Sequence, residues 1–378
     1  MLVIWSLSQI MYSAANTVYG ILHDSLAAIG IPGAVITLVA YAIPCGVVIG
    51  IIGPIAGMLT YAERKISADI QNRVGPNRVG PFGLLQFPAD GIKLLLKEDI
   101  IPDAADKKLF KLAPYLVFSS TVLASLVIPF GGSFIVADLN IGLIFIIVVS
   151  SLLVVGFLMS GWASNNKWAL LGGIRSAAQI ISYEIPTALS LLTVVLIAGT
   201  FSMQEIVMAQ GPWPWQWFLF HNPFTFVAFF IFFVSSLAEM NRTPFDFPEA
   251  ESELVSGYNV EYSGMRFALF FAAEFASIFI IASLGAAVFL GGGNIGMDPY
   301  ASGLGYQLLM VLVFFTKAIF LCLVTIWVRW TLPRLRIDQM LSLCWKYFIP
   351  IAFVCLVMTA AWMLVFGGNG IFWRMPKI

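Results

Sequence analysis

The sequence predicts an all-α polytopic membrane protein of about eight transmembrane helices, with an interfacial amphipathic helix in the first cytoplasmic loop. Three observations predict it. Hydrophobic residues make up 60% of the 378 and charged residues only 11%, with a mean hydropathy of +0.92. The apolar residues gather into runs of roughly 20, the length that crosses about 30 Å of hydrocarbon as a helix. Lysine and arginine collect in alternate connections, the pattern of a chain that crosses repeatedly with its basic loops on one side.

Apolar windows place candidate spans at 34–61, 113–136, 141–163, 185–208, 221–240, 264–290, 306–330 and 346–366, forming a single membrane domain. The first connection carries nine basic residues, Arg64, Lys65, Arg73, Arg78, Lys93, Lys97, Lys107, Lys108 and Lys111; the second, fourth and sixth carry none. Lys167 and Arg175 fall in the third, Arg242 and Arg266 in the fifth, and Arg334, Arg336 and Lys346 in the seventh, with Arg329 at the helix end. The odd connections are therefore expected to be cytoplasmic and both termini to lie on the opposite face, although Arg374 and Lys377 in the tail run against this. The N-terminal MLVIWSLSQIMYSAAN lacks the basic flank of a cleavable signal and is expected to be mature sequence, at the interface or packed as an extra short helix.

The first span carries Gly46, Gly50, Gly53 and Gly57 with Pro44 and Pro54 beside them, which fits close helix packing and kinking. Where it leaves the hydrocarbon, Glu63, Arg64, Lys65 and Asp69 are either headgroup-level charges or functional ones. The duplicated NRVGPNRVGP at 72–81 is either a rigid loop or a ligand contact. Beyond it, GLLQFPADGIKLLLKED sets Gln86, Asp90, Lys93 and Lys97 at helical spacing among apolar residues. A polar stripe that narrow fits a helix at the membrane boundary, its stripe facing water or a cavity.

The acids concentrate in one place. DFPEAESE, at 246–253, holds Asp246, Glu249, Glu251 and Glu253 in a chain of zero formal net charge. Asp246 and Glu249, with Pro248 between them, form a capping box that is expected to start a helix, and Gly257 is a natural stop. With Glu239 and Glu261 the region sets six acids against Arg242 and Arg266. Such a cluster is either a solvated loop or, pressed between apolar spans, a proton relay or cation entrance. Glu274, about 15 Å into its span, and Lys317, near the middle of another, are ionisable residues at a depth that favours function, with mutual neutralisation as the alternative. Glu184, just before Pro186, reads as an acid in a first helical turn, where the helix dipole favours it.

Redox centres have no visible ligands. Cys45, Cys322, Cys344 and Cys355 stand singly without a CxxC pair, and His23 and His221 fall outside the span cores. The cysteines are expected to be small buried hydrophobes.

Four blocks carry a family resemblance: ERKISADIQNRVGPNRVGPFGLLQFPADGIKLLLKED, SNNKWALLGGIRSAAQIISYEIP, EMNRTPFDFPEAESELVSGYNVEYSGMRFALFF and IWVRWTLPRLRIDQMLSLCWK. In order, from about residue 60 to 350, they resemble the quinone-site membrane subunits of respiratory complex I, the proton-pumping NADH:quinone oxidoreductase. The resemblance implies a heel-like bundle of eight spans in a bacterial inner membrane. Its quinone chamber would be framed by the first span, the interfacial helix and the loop between spans five and six. It implies Glu63, Arg64, Arg73, Arg78, Gln86 and Asp90 at the chamber or its entrance. It also implies a charged path through Glu184, Asp246, Glu249, Glu251, Glu253 and Glu274, to which the depth of Lys317 adds that lysine. It further implies quinone as bound substrate, with no haem, flavin, iron-sulfur cluster or metal held by this chain. The implied partners are iron-sulfur quinone-module subunits on the cytoplasmic side, small membrane and antiporter-like subunits, and the bilayer; nucleic acid is not among them. The chain departs from the family where Gln86 is followed by Phe87 and then Pro88, moving a proline one place, and where PFDF replaces PFDL.

Two other classes stand beside this one. The homologous subunit of a membrane-bound hydrogenase, or of a ferredoxin- or F420-fed relative, shares the acidic loop but tends to diverge in the first block, which is complete here. A stand-alone ion transporter is compatible with Glu274 and Lys317, but no inverted repeat is visible.

Overall fold

In a computed structural model the chain is described over residues 33–132, 134–248, 251–296, 304–366 and 370–371. The expectations for residues 1–30, His23, Glu249, Arg374 and Lys377 lie outside these. Among the described residues the α-helices run, in chain order, α1 (Gly33–Ile70), α2 (Gln86–Leu96), α3 (Lys107–Ser125), α4 (Gly142–Ala163), α5 (Lys167–Ala198), α6 (Met203–Met208), α7 (Pro223–Glu239), α8 (Glu251–Leu254), α9 (Gly264–Phe289), α10 (Leu304–Thr331), α11 (Ile337–Leu343) and α12 (Ile349–Phe366). The described residues contain no strand. The chain is thus an all-α multi-pass membrane protein. Among the described residues six stretches are long and apolar enough to cross: Cys45–Ile70, Gly142–Ala163, Lys167–Ala198, Gly264–Phe289, Gly305–Thr331 and Ile337–Phe366, with Pro223–Glu239 apolar but shorter.

Local chemistry sets the helix ends. Asp106 caps α3 by accepting from Lys108 N and Leu109 N, and Asn222 caps α7 with Pro223 in the first turn. Gly199, left-handed at φ 72°, closes α5. The span expected at 113–136 stops at Ser125, because Pro129, Gly131 and Gly132 break the apolar run that follows. The span expected at 185–208 is the helix Lys167–Ala198, starting 18 residues earlier. Its first half reads as polar, yet those groups find partners inside the protein. Gln179 donates to Ala238 O and Phe245 O at 2.7 Å each, and Tyr183 Oη donates to Met340 O at 3.0 Å. Glu184 consequently lies mid-helix, and the first-turn explanation of it falls. Pro186 leaves the carbonyl of Ser182 without its helical donor, and the Cys344 thiol supplies one at 3.0 Å. The last span begins at Ile337 rather than 346, running through a π turn at Cys344–Phe348.

Two helices organise the bundle. α9 packs on α1, α3, α10 and α2, while α5 packs on α4, α7 and α12. Small residues permit the closest approaches: a Cβ on Gly172 of α5 would lie 2.7 Å from Gly257 Cα and Tyr258 N, so α5 seats the acidic connection directly. Of Gly46, Gly50, Gly53 and Gly57 on α1, only Gly57 meets a neighbour, and it admits the ring of Phe87 on α2 rather than another helix backbone.

One end of the bundle carries α2, the acidic connection and the 332–336 turn. The other is closed by irregular segments at 126–141, 199–222 and 290–296. These are tied by Gln204 Nε2 to Gly132 O at 2.9 Å and by Gln210 Nε2 to Ala287 O at 2.9 Å. Burial pushes the Asp138 carboxyl of this closed end above its ordinary value; a hydrogen bond from Ser202 opposes the shift and nearby Glu205 adds to it.

Candidate functional site

The bundle brings four charges from four elements into one buried row. Arg242, 1% exposed at its side chain, follows α7 in a turn where Asn241 is left-handed at φ 52° and Arg242 N donates to Leu237 O. Its Nη1 lies 3.2 Å from Glu63 Oε2 on α1. Its Nη2 lies 3.0 Å from Glu274 Oε1 on α9. The other oxygen of Glu63 accepts from Arg329 Nη1 on α10. The order Arg329, Glu63, Arg242, Glu274 alternates in sign and neutralises itself, with the Arg242 guanidinium 4.3 Å from the centre of the Phe275 ring. Mutual neutralisation therefore describes Glu274, but its partner is Arg242, not Lys317.

A second constellation flanks the first at the open end. Arg64 Nη1 on α1 lies 2.6 Å from Asp90 Oδ2 on α2, and Gln86 Nε2 donates to Asp90 Oδ1 at 3.1 Å. The polar stripe of α2 is real, since Gln86 and Asp90 stand one turn apart on the side facing α1; the helix buries none of its residues. The 72–83 loop folds on itself. A Cβ on Gly83, at φ 83°, would meet Pro76 O at 2.3 Å, and Tyr61 Oη donates to Phe82 O at 2.8 Å. Arg73 and Arg78 are exposed on this loop and do not join the Arg64–Asp90 pair; Arg73 donates to Gln71 at 2.6 Å.

The acidic connection divides. Asp246 faces Arg334 at 3.6 Å, and Glu253 pairs with Arg175 at 2.7 Å on an exposed surface. Glu249 and the side chain of Glu251 lie outside what is described. The expected helix is the single turn Glu251–Leu254. It ends before Gly257, with Val255 itself at φ 66°, a conformation costly for a β-branched residue.

Deeper in the bundle, α3, α4, α5, α7 and α9 enclose a cavity of ≈ 50 Å³ with Glu184 and Glu239 in its wall, together with Ser120, Thr121, Ser150, Thr187 and Ser277. The cavity is large enough for a water molecule, though most of its wall is apolar. Among the described residues, Glu239 Oε1 is buried without a hydrogen-bond partner. The backbone connects the cavity to the charged row, since Ser277 Oγ donates to Glu274 O at 2.7 Å.

Lys317 stands apart from these groups. Its Nζ donates to Leu290 O at 2.7 Å and Gly292 O at 2.8 Å, at the closed end of α9. Twelve residues separate it from Arg329, roughly 18 Å along α10.

Three members of the site are missing from the sequence-based set: Arg242, Arg329 and Glu239. Arg242 and Arg329 read as ordinary positive-inside charges, and Glu239 only as one of the six acids of the acidic connection. The signal that could have found them was a glutamate and an arginine three residues apart at a span end, facing two other spans that each carry an acid. Of the cysteines, Cys322, Cys344 and Cys355 are buried. Among the described residues, no group of His, Cys, Asp and Glu is placed to hold a metal ion.

Comparison with known proteins gives a consistent result. The family model described as NADH dehydrogenase matches residues 43–360. The chain is 51% identical over 342 residues to a subunit of the NADH-quinone oxidoreductase of Anaeromyxobacter dehalogenans, covering 87% of this chain and 83% of that one. It is 51% identical over 314 residues to the subunit of the same name from Chlorobium luteolum, covering 80% and 84%. With that of Rhodospirillum rubrum it shares 46% over 320 residues, covering 85% and 92%.

Proposed function

The chain belongs to the NADH dehydrogenase family and is a membrane subunit of an NADH-quinone oxidoreductase; from that premise we propose that it frames the quinone chamber and passes the effect of quinone reduction to protons. It acts in catalysis only as part of the complex, in which the quinone receives its electrons from an iron-sulfur subunit docked at the open end. Quinone is substrate here, and α1, α2 and the 240–263 connection line its chamber. Arg64, Gln86 and Asp90 orient the headgroup, while exposed Arg73 and Arg78 stand at the entrance.

The observation that carries the reading is the self-neutralising row Arg329, Glu63, Arg242, Glu274, which leads from the α2 side toward the Glu184 and Glu239 cavity. Added negative charge, or a proton withdrawn, on the chamber side disturbs the balance at Glu63. Arg242 then shifts its ion pairing between Glu63 and Glu274, because one guanidinium serves both. The change reaches Glu239 and Glu184, which exchange protons across the cavity whose wall they share. Asp246, Glu249, Glu251 and Glu253 form the charged rim of the chamber. The basic end faces the cytoplasm, eight helices cross, and both termini lie on the other side. Small membrane and antiporter-like subunits receive the signal laterally.

In the assembled enzyme, Asp90→Asn is expected to raise KM for quinone more than it lowers kcat. Glu239→Gln is expected to lower the protons moved per NADH oxidised while quinone reduction persists. Unchanged proton yield in both Glu63→Gln and Glu239→Gln would remove the basis of the coupling role.

A further inference from the structure

The closed end of the bundle carries a second concave feature, unconnected with the charged row. An apolar groove of ≈ 620 Å³ opens on the outer surface between α7 and α10, walled by Phe229, Phe230 and Phe233 on one side and by Phe320, Leu321 and Val324 on the other. Phe230 and Phe320 are 52% and 60% exposed, so the groove opens away from the core. Its single charged residue is Lys317, at the mouth. The lysine holds two carbonyl oxygens at the end of α9 and lies 4.4 Å from the centre of the Trp217 ring.

Carbonyl dipoles satisfy two of the three ammonium donors without cancelling the charge. Among the described residues, no carboxylate pairs with Lys317. The segments closing this end, 126–141, 199–222 and 290–296, contain no lysine or arginine, so among the described residues Lys317 supplies the ammonium that borders them. Beside it, Trp213 and Trp215 stack at 5.2 Å and are 57% and 50% exposed, while Trp217 lies against the lysine. Tryptophans gather at headgroup level. The groove runs along α10 from Lys317 to Val324, seven residues or about 10 Å. A cation at the end of α9 beside an apolar trough is the arrangement an anionic amphiphile complements. The trough ends after two helical turns, a match to a chain segment rather than to a whole packed helix.

We propose that this groove is a binding site for an anionic phospholipid of the adjoining leaflet. The phosphate pairs with Lys317 and one acyl chain lies along Phe230, Phe233 and Phe320. The assignment does not depend on the coupling role proposed above.

The test uses the assembled complex in nanodiscs that contain photoactivatable phosphatidylglycerol, or photoactivatable phosphatidylcholine at the same density. Crosslinks are mapped by mass spectrometry in the wild type, Lys317→Gln, Lys317→Arg and Val324→Trp. Expected are phosphatidylglycerol adducts on the Phe230 and Phe320 peptides, reduced about tenfold in Lys317→Gln, retained in Lys317→Arg and lost in Val324→Trp, whose indole fills the trough. Equal labelling by the two lipids, adducts insensitive to Lys317, or crosslinks from these peptides to a neighbouring subunit would each overturn the proposal. Subunit stoichiometry on a native gel verifies assembly of every variant.

Discussion

Arg242 Nη2 stands 3.0 Å from Glu274 Oε1 in a part of the bundle where the arginine side chain is 1% exposed. A guanidinium so enclosed must be matched charge for charge, and Glu274 and Glu63 provide the match. Arg242→Gln leaves two acids with one cation, Arg329, between them. It is expected to destabilise the subunit by about 3–5 kcal/mol, the cost of breaking a buried pair from one side. The double variant Arg242→Gln, Glu274→Gln removes the orphaned charge and should be more stable than the single one. Thermal inactivation of the assembled complex checks the order; a double variant less stable than Arg242→Gln would show that the pair is not the source of the effect.

The exposed pair Arg175–Glu253 makes the opposite prediction. Its Glu253 side chain is 57% exposed, and solvent and salt screen it. Glu253→Gln is expected to change stability by less than about 1 kcal/mol. Proton yield per NADH in the same variant then reports whether the rim takes part in proton transfer, free of a folding effect.

Packing around Gly172 can be tested by size alone. A methyl group there meets the backbone of Gly257 and Tyr258, which cannot swing aside as a side chain does. Gly172→Ala is expected to cost about 1–3 kcal/mol and to displace the acidic connection. Gly57→Ala meets the Phe87 ring instead, and should act mainly on α2, appearing as a raised KM for quinone. Equal inactivation temperatures for wild type and Gly172→Ala would contradict the close approach.

The closed end has a pH signature. Burial holds the Asp138 carboxyl above its ordinary value, opposed by Ser202 and reinforced by Glu205. A folded value above the unfolded one means that the stabilising contribution is complete below the unfolded value and lost as pH rises through the folded one. Asp138→Asn escapes that loss. Its thermal stability relative to wild type should rise as pH increases above the ordinary carboxylate range; a constant difference would rule out Asp138 as the titrating group.

The helical fold was legible because a bilayer imposes length and apolarity on whatever crosses it, and both survive in a one-dimensional reading. The α2 stripe was legible for a related reason: Gln86 and Asp90, four apart, must share a helix face. Legibility failed where polar side chains are satisfied across the bundle. Gln179, Ser182 and Tyr183 lower the local hydropathy and hide the first half of α5, although each is hydrogen-bonded inside. Asp246 also faces Arg334 from a distant segment, a partner that no local spacing reveals. The resemblance placed Glu63 and Glu274 among the functional residues, but no spacing linked them to each other.

The sequence by itself determined a multi-pass helical membrane protein and its family. Those properties rest on composition, periodicity and local motifs, which are additive along the chain. The tertiary structure decided which charges meet: Arg242 with Glu63 and Glu274, Arg64 with Asp90, Glu184 with Glu239 across a cavity, and Lys317 with the far end of α9. Pairing of buried charges depends on distance in three dimensions, and residues 179 positions apart, such as Glu63 and Arg242, become neighbours only when α1, α7 and α9 pack.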